Sequence, residues 1–179
     1  MLQKSSIWKV LEVFFIEPSK EHYLIDISRK IGIAHTSTKQ NLSKLVKLGL
    51  VRRELQKKGK RNFPIYKANS ASKSFREYKI VYNLTSLLES GVTTFLEEKI
   101  APNAVIVFGS YRKGEDIESS DIDLFVEGIE EKVDLSNFER KLKRKIQLHF
   151  KENFGSYPKE LKNNIINGIV LYGFLEGYK

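Results

Sequence analysis

Gly109-Ser110 and Asp121-Ile122-Asp123 are the residues of this 179-residue chain whose types and spacing could do chemistry. Side chains at i and i+2 of a strand share a face. Asp121 and Asp123 therefore project together, while Ile122 and Leu124 face a core. Two carboxylates this close raise one another's pKa unless a cation sits between them. A divalent metal resolves that repulsion, and oxygen ligation suits Mg²⁺ or Mn²⁺. Ahead of the pair, Ala104–Phe108 reads as a buried strand running straight into Gly109-Ser110. The glycine lets the backbone approach a ligand closely. Ser110 offers a hydroxyl and an N–H to phosphate oxygen, and the turn can form an anion-binding nest. A phosphate cradle beside a metal-binding carboxylate pair is the apparatus of phosphoryl or nucleotidyl transfer.

The stretch VFGSYRKGEDIESSDIDLFV, residues 107–126, resembles the signature of the polymerase-beta-type nucleotidyltransferase superfamily. It is closest to the small minimal nucleotidyltransferases of prokaryotes and to kanamycin nucleotidyltransferase-like domains. Gly109, Ser110, Gly114, Ser120, Asp121 and Asp123 match, and the looser resemblance extends over residues 91–175. It implies that Gly109 and Ser110, with Lys113, hold a nucleoside triphosphate and that Asp121 and Asp123 bind Mg²⁺. The implied reaction is attack of an acceptor hydroxyl on the α-phosphate. The resemblance also implies a third carboxylate on a later strand, and here the sequence departs from the pattern. After a helix expected over about Leu135–Lys145, the strand Ile146–Glu152 offers Gln147 and His149 on the relevant face. His149 is the candidate general base, with Glu152 as the acidic alternative. Arg144 and His149 have the Arg-x4-His spacing of all-helical RNases that accompany such transferases. They straddle a helix-to-strand junction, so the spacing is read as coincidence.

The elements upstream serve another purpose. Apolar spacing predicts a helix over residues 7–16 ended by Pro18, and a second over Tyr23–Ile31 ended by Gly32. Ser37 and Gln40 have the spacing of a capping box for a third helix that buries Leu42, Leu45, Val46 and Leu48. Strands at 51–56 and 63–67 flank a basic turn, 57–61. Helix, helix, helix, hairpin resembles the prokaryotic winged-helix regulators over residues 5–70. That resemblance implies double-stranded DNA as partner. Ser37, Thr38, Lys39, Asn41 and Lys44 would face the major groove, and Lys57, Lys58, Lys60 and Arg61 would meet phosphate or minor groove. His22 and His35 read as surface or turn residues. A linker helix over 70–90, capped by Ser70 or Ser72, carries a stripe of Phe75, Tyr78, Val81, Tyr82 and Leu88, suited to core or to a homodimer contact.

Charge separates the two halves. Residues 1–90 hold 18 Lys and Arg against 7 Asp and Glu, a net of +11. Residues 91–179 hold 13 against 15, a net of −2. One half is built for a polyanion and the other is not. The chain contains no cysteine, which excludes disulfides, thiolate metal sites and Cys nucleophiles and suits a cytoplasmic setting. Its uncharged runs are too short for a membrane span, so no membrane partner is expected. The expected fold class is mixed α/β (α+β). A winged helix at 1–70 (three helices plus a β-hairpin) is followed by a linker helix at 71–91. Residues 92–179 form a nucleotidyltransferase-type mixed sheet flanked by helices. Three roles are open: NMP transfer, nucleotide-sensing transcriptional regulation by a degenerate transferase, or an antitoxin acting on a toxin-type protein partner.

Overall fold

The computed structural model describes residues 5–151 and 158–175, and Glu152 lies outside them. The fold is mixed α+β with two sheets, as expected. The chain divides into two compact units, Met1–Tyr82 and Asn83–Lys179.

In the first unit, α1 (Ser6–Ile16) is capped by Ser5, whose hydroxyl accepts from Trp8 N at 3.4 Å. Helix α2 (Leu24–Ile31) stops at Gly32, which takes φ +65. Helix α3 (His35–Lys47) starts two residues before the expected capping box. Its cap is Ala34, without a side-chain hydrogen bond, and Ser37 falls inside the first turn. That earlier start sets which residues turn inward: Thr38, Asn41, Leu42 and Leu45 are buried. Leu48, expected in the core, lies past the helix end and is 63% exposed, and Leu50 is buried instead. Strands β1 (Val51–Lys58) and β2 (Arg61–Ala68) form an antiparallel hairpin closed by Gly59-Lys60. The expected five-residue turn is thus tighter, with Lys57, Lys58 and Arg61 on the strands. The core gathers Val10, Phe14, Phe15, Ile27, Leu42, Leu45 and Phe75. Full burial of such side chains contributes about 1.5–3 kcal/mol each. His22 belongs to this interior rather than to the surface: it is 8% exposed and meets the Phe14 ring edge-on at 5.2 Å.

Helix α4 (Lys73–Ser90) runs from one unit into the other. Ser72 is its cap, accepting from Phe75 N at 3.4 Å. Its buried positions are Phe75, Lys79, Asn83, Leu87 and Ser90. Of the expected stripe, Tyr78, Val81 and Leu88 are exposed. The buried face steps by four from Phe75, with polar residues taking places that apolar spacing assigned elsewhere.

In the second unit, α5 (Val92–Ile100) precedes β3 (Ala104–Phe108), every residue of which is buried. The short α6 (Gly109–Lys113) and β4 (Ile122–Glu127) follow. Helix α7 (Ser136–Leu142) is shorter than expected, ending at Lys143 in the left-handed region. Strand β5 (Ile146–Lys151), α8 (Lys159–Ile166) and β6 (Ile169–Gly173) complete the unit. The sheet order is β5-β4-β3-β6, with β4 and β5 parallel and the other pairs antiparallel. One face holds Val105, Val107, Ile122, Leu124 and Val126 against Leu87, Val92 and Leu96. The opposite face packs Ala104, Ile106, Phe108 and Phe125 on Ile165. Among the described residues no helix is long and apolar enough to cross a membrane.

Candidate functional site

Strand register brings the site residues together. Phe108 pairs with Asp123 across β3 and β4, so the chain leaves β3 directly beside that carboxylate. Asp121 precedes β4, and Asp123 is its second residue. Ile122 and Leu124 are fully buried on the other face. On the parallel neighbour, Asp123 registers with Gln147 and Phe125 with His149. The same alternation then aims Gln147 and His149 at the aspartates. Gln147 Nε2 donates to Asp121 Oδ2 at 2.6 Å. His149 Nε2 lies 3.2 Å from Asp123 Oδ1, and its ring meets Phe108 edge-on at 5.1 Å. Both side chains of that pair are more than a quarter exposed, so solvent and solutes reach them.

Gly109 opens α6 with φ +71, a conformation that L side chains avoid. A Cβ there would stand 2.5 Å from Asp123 Oδ2. The turn backbone and the carboxylate are therefore in contact, and only glycine permits it. Ser110 follows, half-buried, and α6 ends at the exposed Lys113 before Gly114 at φ +67. The loop into β4 is tied by Ser120, whose hydroxyl accepts from Ile117 N at 2.9 Å. That tie fixes the residue before Asp121.

The donor set fits a hard divalent cation. Magnesium is commonly held by one or two carboxylates with substrate phosphates and water completing the shell. Asp121 and Asp123 supply the carboxylates, and the Gly109 turn leaves the approach to them free of side chain. Among the described residues no group of three or more His, Cys, Asp and Glu is placed to hold an ion by itself. Gln147 and His149 occupy the strand positions where the resemblance implies a further carboxylate.

A buried polar network behind this site was not legible in the sequence. Asp116 is 2% exposed. It accepts from Asn83 Nδ2 at 2.8 Å and faces the Arg144 guanidinium at 3.8 Å. Asn83 also donates to the Tyr111 carbonyl at 2.8 Å. Arg144 is thus a structural partner of the loop that carries the motif, on a different element from His149. The only sequence signal was the density of acids between Gly114 and Asp123, which does not separate buried from solvated ones.

The candidate nucleic-acid surface of the first unit is divided differently from expectation. Lys39 and Lys44 are exposed and Ser37 is half-buried, but Thr38 and Asn41 are interior. The Thr38 hydroxyl donates to the Ile33 carbonyl at 3.5 Å, and Asn41 Nδ2 donates to Ser6 Oγ at 3.1 Å. Their polar groups satisfy α3 against its neighbours and are unavailable to base edges. His35, Thr36, Gln40, Ser43 and Lys47 share the exposed side. On the hairpin, Lys57, Lys58, Lys60 and Arg61 are all exposed. The Lys58 ammonium stands 4.6 Å over the Tyr23 ring.

This geometry agrees with what comparison by family finds. Residues 91–174 match the family described as polymerase beta, nucleotidyltransferase. The matched segment is just under half of the chain, and it contains every residue of the aspartate site. No curated protein matches the chain. A solved structure described as a possible transcriptional regulator from Methanosarcina mazei Go1 aligns with 54% of this chain and 79% of its own. The identity is 19% and the TM-score 0.38, a level at which likeness carries no functional inference. Residues 91–174 of the second unit are thus similar to that family.

Proposed function

We propose that the nucleotidyltransferase-family domain binds a magnesium–nucleoside triphosphate and transfers its NMP group to an acceptor hydroxyl, and that the basic unit is a winged helix binding double-stranded DNA. One observation supports the first part: the Gly109 turn packs so closely on Asp123 that a Cβ there would stand 2.5 Å from Oδ2, which sets the proposed phosphate-binding turn beside the carboxylates. Gly109 and Ser110 would receive the phosphates, with Lys113 at the far end of α6. Asp121 and Asp123 would hold Mg²⁺, which when bound supplies charge neutralisation at the phosphates. The acceptor oxygen bonds to the α-phosphorus, the α–β anhydride breaks, and pyrophosphate leaves. His149 is suited to take the hydroxyl proton. With Nε2–H donating to Asp123, Nδ1 keeps its lone pair. The test needs no acceptor. ATP, GTP, CTP and UTP are titrated by calorimetry in Mg²⁺ and in EDTA, beside the Asp121→Asn/Asp123→Asn variant. Metal-dependent binding lost in the variant is expected; affinity unchanged by the substitutions would sink the assignment.

Gln147 supports a second reading. Its amide caps Asp121 at 2.6 Å in the place the resemblance reserves for a carboxylate. The domain would then bind nucleotide with little turnover and report it to the DNA-binding unit as a regulator. Nucleotide-dependent DNA affinity without pyrophosphate release, over a broad acceptor panel, distinguishes this reading from the first.

The DNA reading of the basic unit stands on the exposed cations of α3 and the hairpin together with its charge excess. Salt-dependent affinity for duplex DNA is the expected property, and binding that ignores salt would overturn it.

A further inference from the structure

Asp121 also borders an open cleft of about 540 Å³ whose lining includes neither Gly109 nor Asp123. Its walls are the loop before β4, α7 and the turn into β5. Four cations line it: Arg140, Lys143, Arg144 and Lys145. Two of these have partners in the fold. Lys145 Nζ sits 2.8 Å from Glu139, and Arg144 faces Asp116. Arg140 and Lys143 are exposed and stand in no ion pair among the described residues. Lys143 adopts φ +55 at the end of α7. Glycine normally fills that left-handed position because it bears no Cβ penalty. The chain instead keeps a lysine there, at the mouth of the cleft. The hydroxyl-bearing Ser119 and Ser120 also border it, with the acids Glu118, Asp121 and Glu139, and the Arg140 charge acts on nearby Asp134.

The aspartates therefore stand between two different surroundings. Asp123 meets the glycine turn, and Asp121 borders the basic cleft. In-line displacement places the attacking and leaving oxygens on opposite sides of phosphorus, so nucleotide phosphates at the glycine turn leave the Asp121 side for the second reactant. Guanidinium and ammonium groups recognise phosphate by charge-assisted hydrogen bonds. The cleft volume is within the ordinary range for small-molecule sites, about 300–1,000 Å³.

We propose that this cleft binds the acceptor, and that the acceptor is a small phosphomonoester with a free hydroxyl, of the sugar phosphate or nucleoside monophosphate class. Arg140 and Lys143 hold its phosphate, and its hydroxyl is turned toward Asp121. The inference rests on the nucleotide reading of the Asp121/Asp123 site. The hydroxyl oxygen displaces pyrophosphate from the α-phosphorus, its proton passes to His149, and the acceptor's own phosphate is unchanged.

Two probes test it on the full chain: ribose 5-phosphate and AMP, each against its dephosphorylated counterpart, ribose or adenosine. Calorimetry is expected to show binding of at least one phosphorylated probe and of neither counterpart. The two phosphorylated probes distinguish the two acceptor classes. Arg140→Gln/Lys143→Gln should weaken that binding at least about tenfold while leaving Mg-ATP affinity unchanged. Lys143→Gly gives a control on folding, because it relieves the backbone while removing the cation. It should raise the melting temperature and still weaken the probe. Asp121→Asn/Asp123→Asn should abolish Mg-ATP binding, and Asp123→Asn alone, outside the cleft lining, should keep the probe. Mg-ATP affinity unaffected by the aspartate substitutions would sink the nucleotide reading alone. The acceptor inference is overturned if neither phosphorylated probe binds, if the Arg140/Lys143 variants bind it as wild type does, or if Mg-ATP displaces it competitively.

Discussion

In β1, Arg52, Arg53, Glu54 and Leu55 are all exposed, on both sides of the strand; in β3 all five residues are buried. The hairpin is a carrier of charge anchored at its base by Val51, Tyr66 and Ala68. The central strands β3 and β4 of the four-stranded sheet are mostly interior, and the candidate site lies at one end, where β4 begins and the Gly109 turn arrives. Exposed β-structure can change its side chains without touching the core, so its substitutions should act on binding and its salt dependence. Buried β-structure couples site to stability, so substitutions there should act on both.

The largest expected effect is behind the aspartate site. Asp116→Ala leaves the Arg144 guanidinium buried without this carboxylate, and breaking a buried pair costs about 3–5 kcal/mol. Urea denaturation followed by circular dichroism should show that loss. Fluorescence of Trp8, the single tryptophan, reports the first unit. If it shifted equally, the separation between the two regions would break.

Gly109→Ala comes next. The left-handed φ alone costs about 1–3 kcal/mol, and the added methyl meets Asp123. Mg-ATP affinity should fall by more than about tenfold as the turn moves off the carboxylate. A variant with normal nucleotide affinity would show that the turn and the carboxylate act separately.

On the hairpin, replacing Lys57, Lys58, Lys60 and Arg61 by Gln should leave unfolding nearly unchanged. The slope of log affinity for duplex DNA against log salt should flatten by about 0.9 for each phosphate that the variant no longer neutralises. A drop in stability with an unaltered slope would reverse the contrast.

The smallest effect is a pH dependence confined to the first unit. Burial pulls the His22 imidazole below its usual value, although a contact with the Glu17 carbonyl and the Glu17 charge favour its protonated form. The unfolded chain then binds the proton more readily, so stability is full above about pH 6.5 and declines as pH falls below it. For Glu17, burial works upward but is outweighed by hydrogen bonds and charge from Lys30 and Lys20, which hold the carboxyl at about 2. Its contribution persists to lower pH and is lost only as pH falls from the ordinary carboxylate range toward about 2. His22→Gln should flatten the upper limb of the pH–melting curve and leave the lower one.

The motif was readable because everything it requires is local: a strand, a glycine turn and alternating aspartates within twenty residues. The helix order and hairpin of the first unit were readable from apolar spacing and left-handed glycines. What failed depended on which side a core approaches. Thr38 and Asn41 looked like surface residues because they are polar, yet each finds a hydrogen-bond partner and is buried. On α4, Tyr78 and Leu88 read as core or as a dimer contact and are exposed in the single chain, while Asn83 is interior because it bonds Asp116 and the Tyr111 carbonyl. For Asn41 and Asn83 the partners come from segments about thirty residues away, and hydropathy along a helix carries no trace of them.

Helix α4 also decides where the chain can be cut. The loops at Asn69–Ser72 and at Gly91 invite a boundary by composition. A fragment ending before Lys73 loses Phe75 and Tyr82 and uncovers the Phe15 ring, which packs on both. A fragment starting at Val92 loses Leu87 and the Asn83 amide that ties the motif loop. Each half buries side chains from its own part of the same eighteen-residue helix. Protease-resistant pieces should therefore meet within α4 rather than at a loop, and a gene fusion that inherits one half must inherit its turns of this helix too.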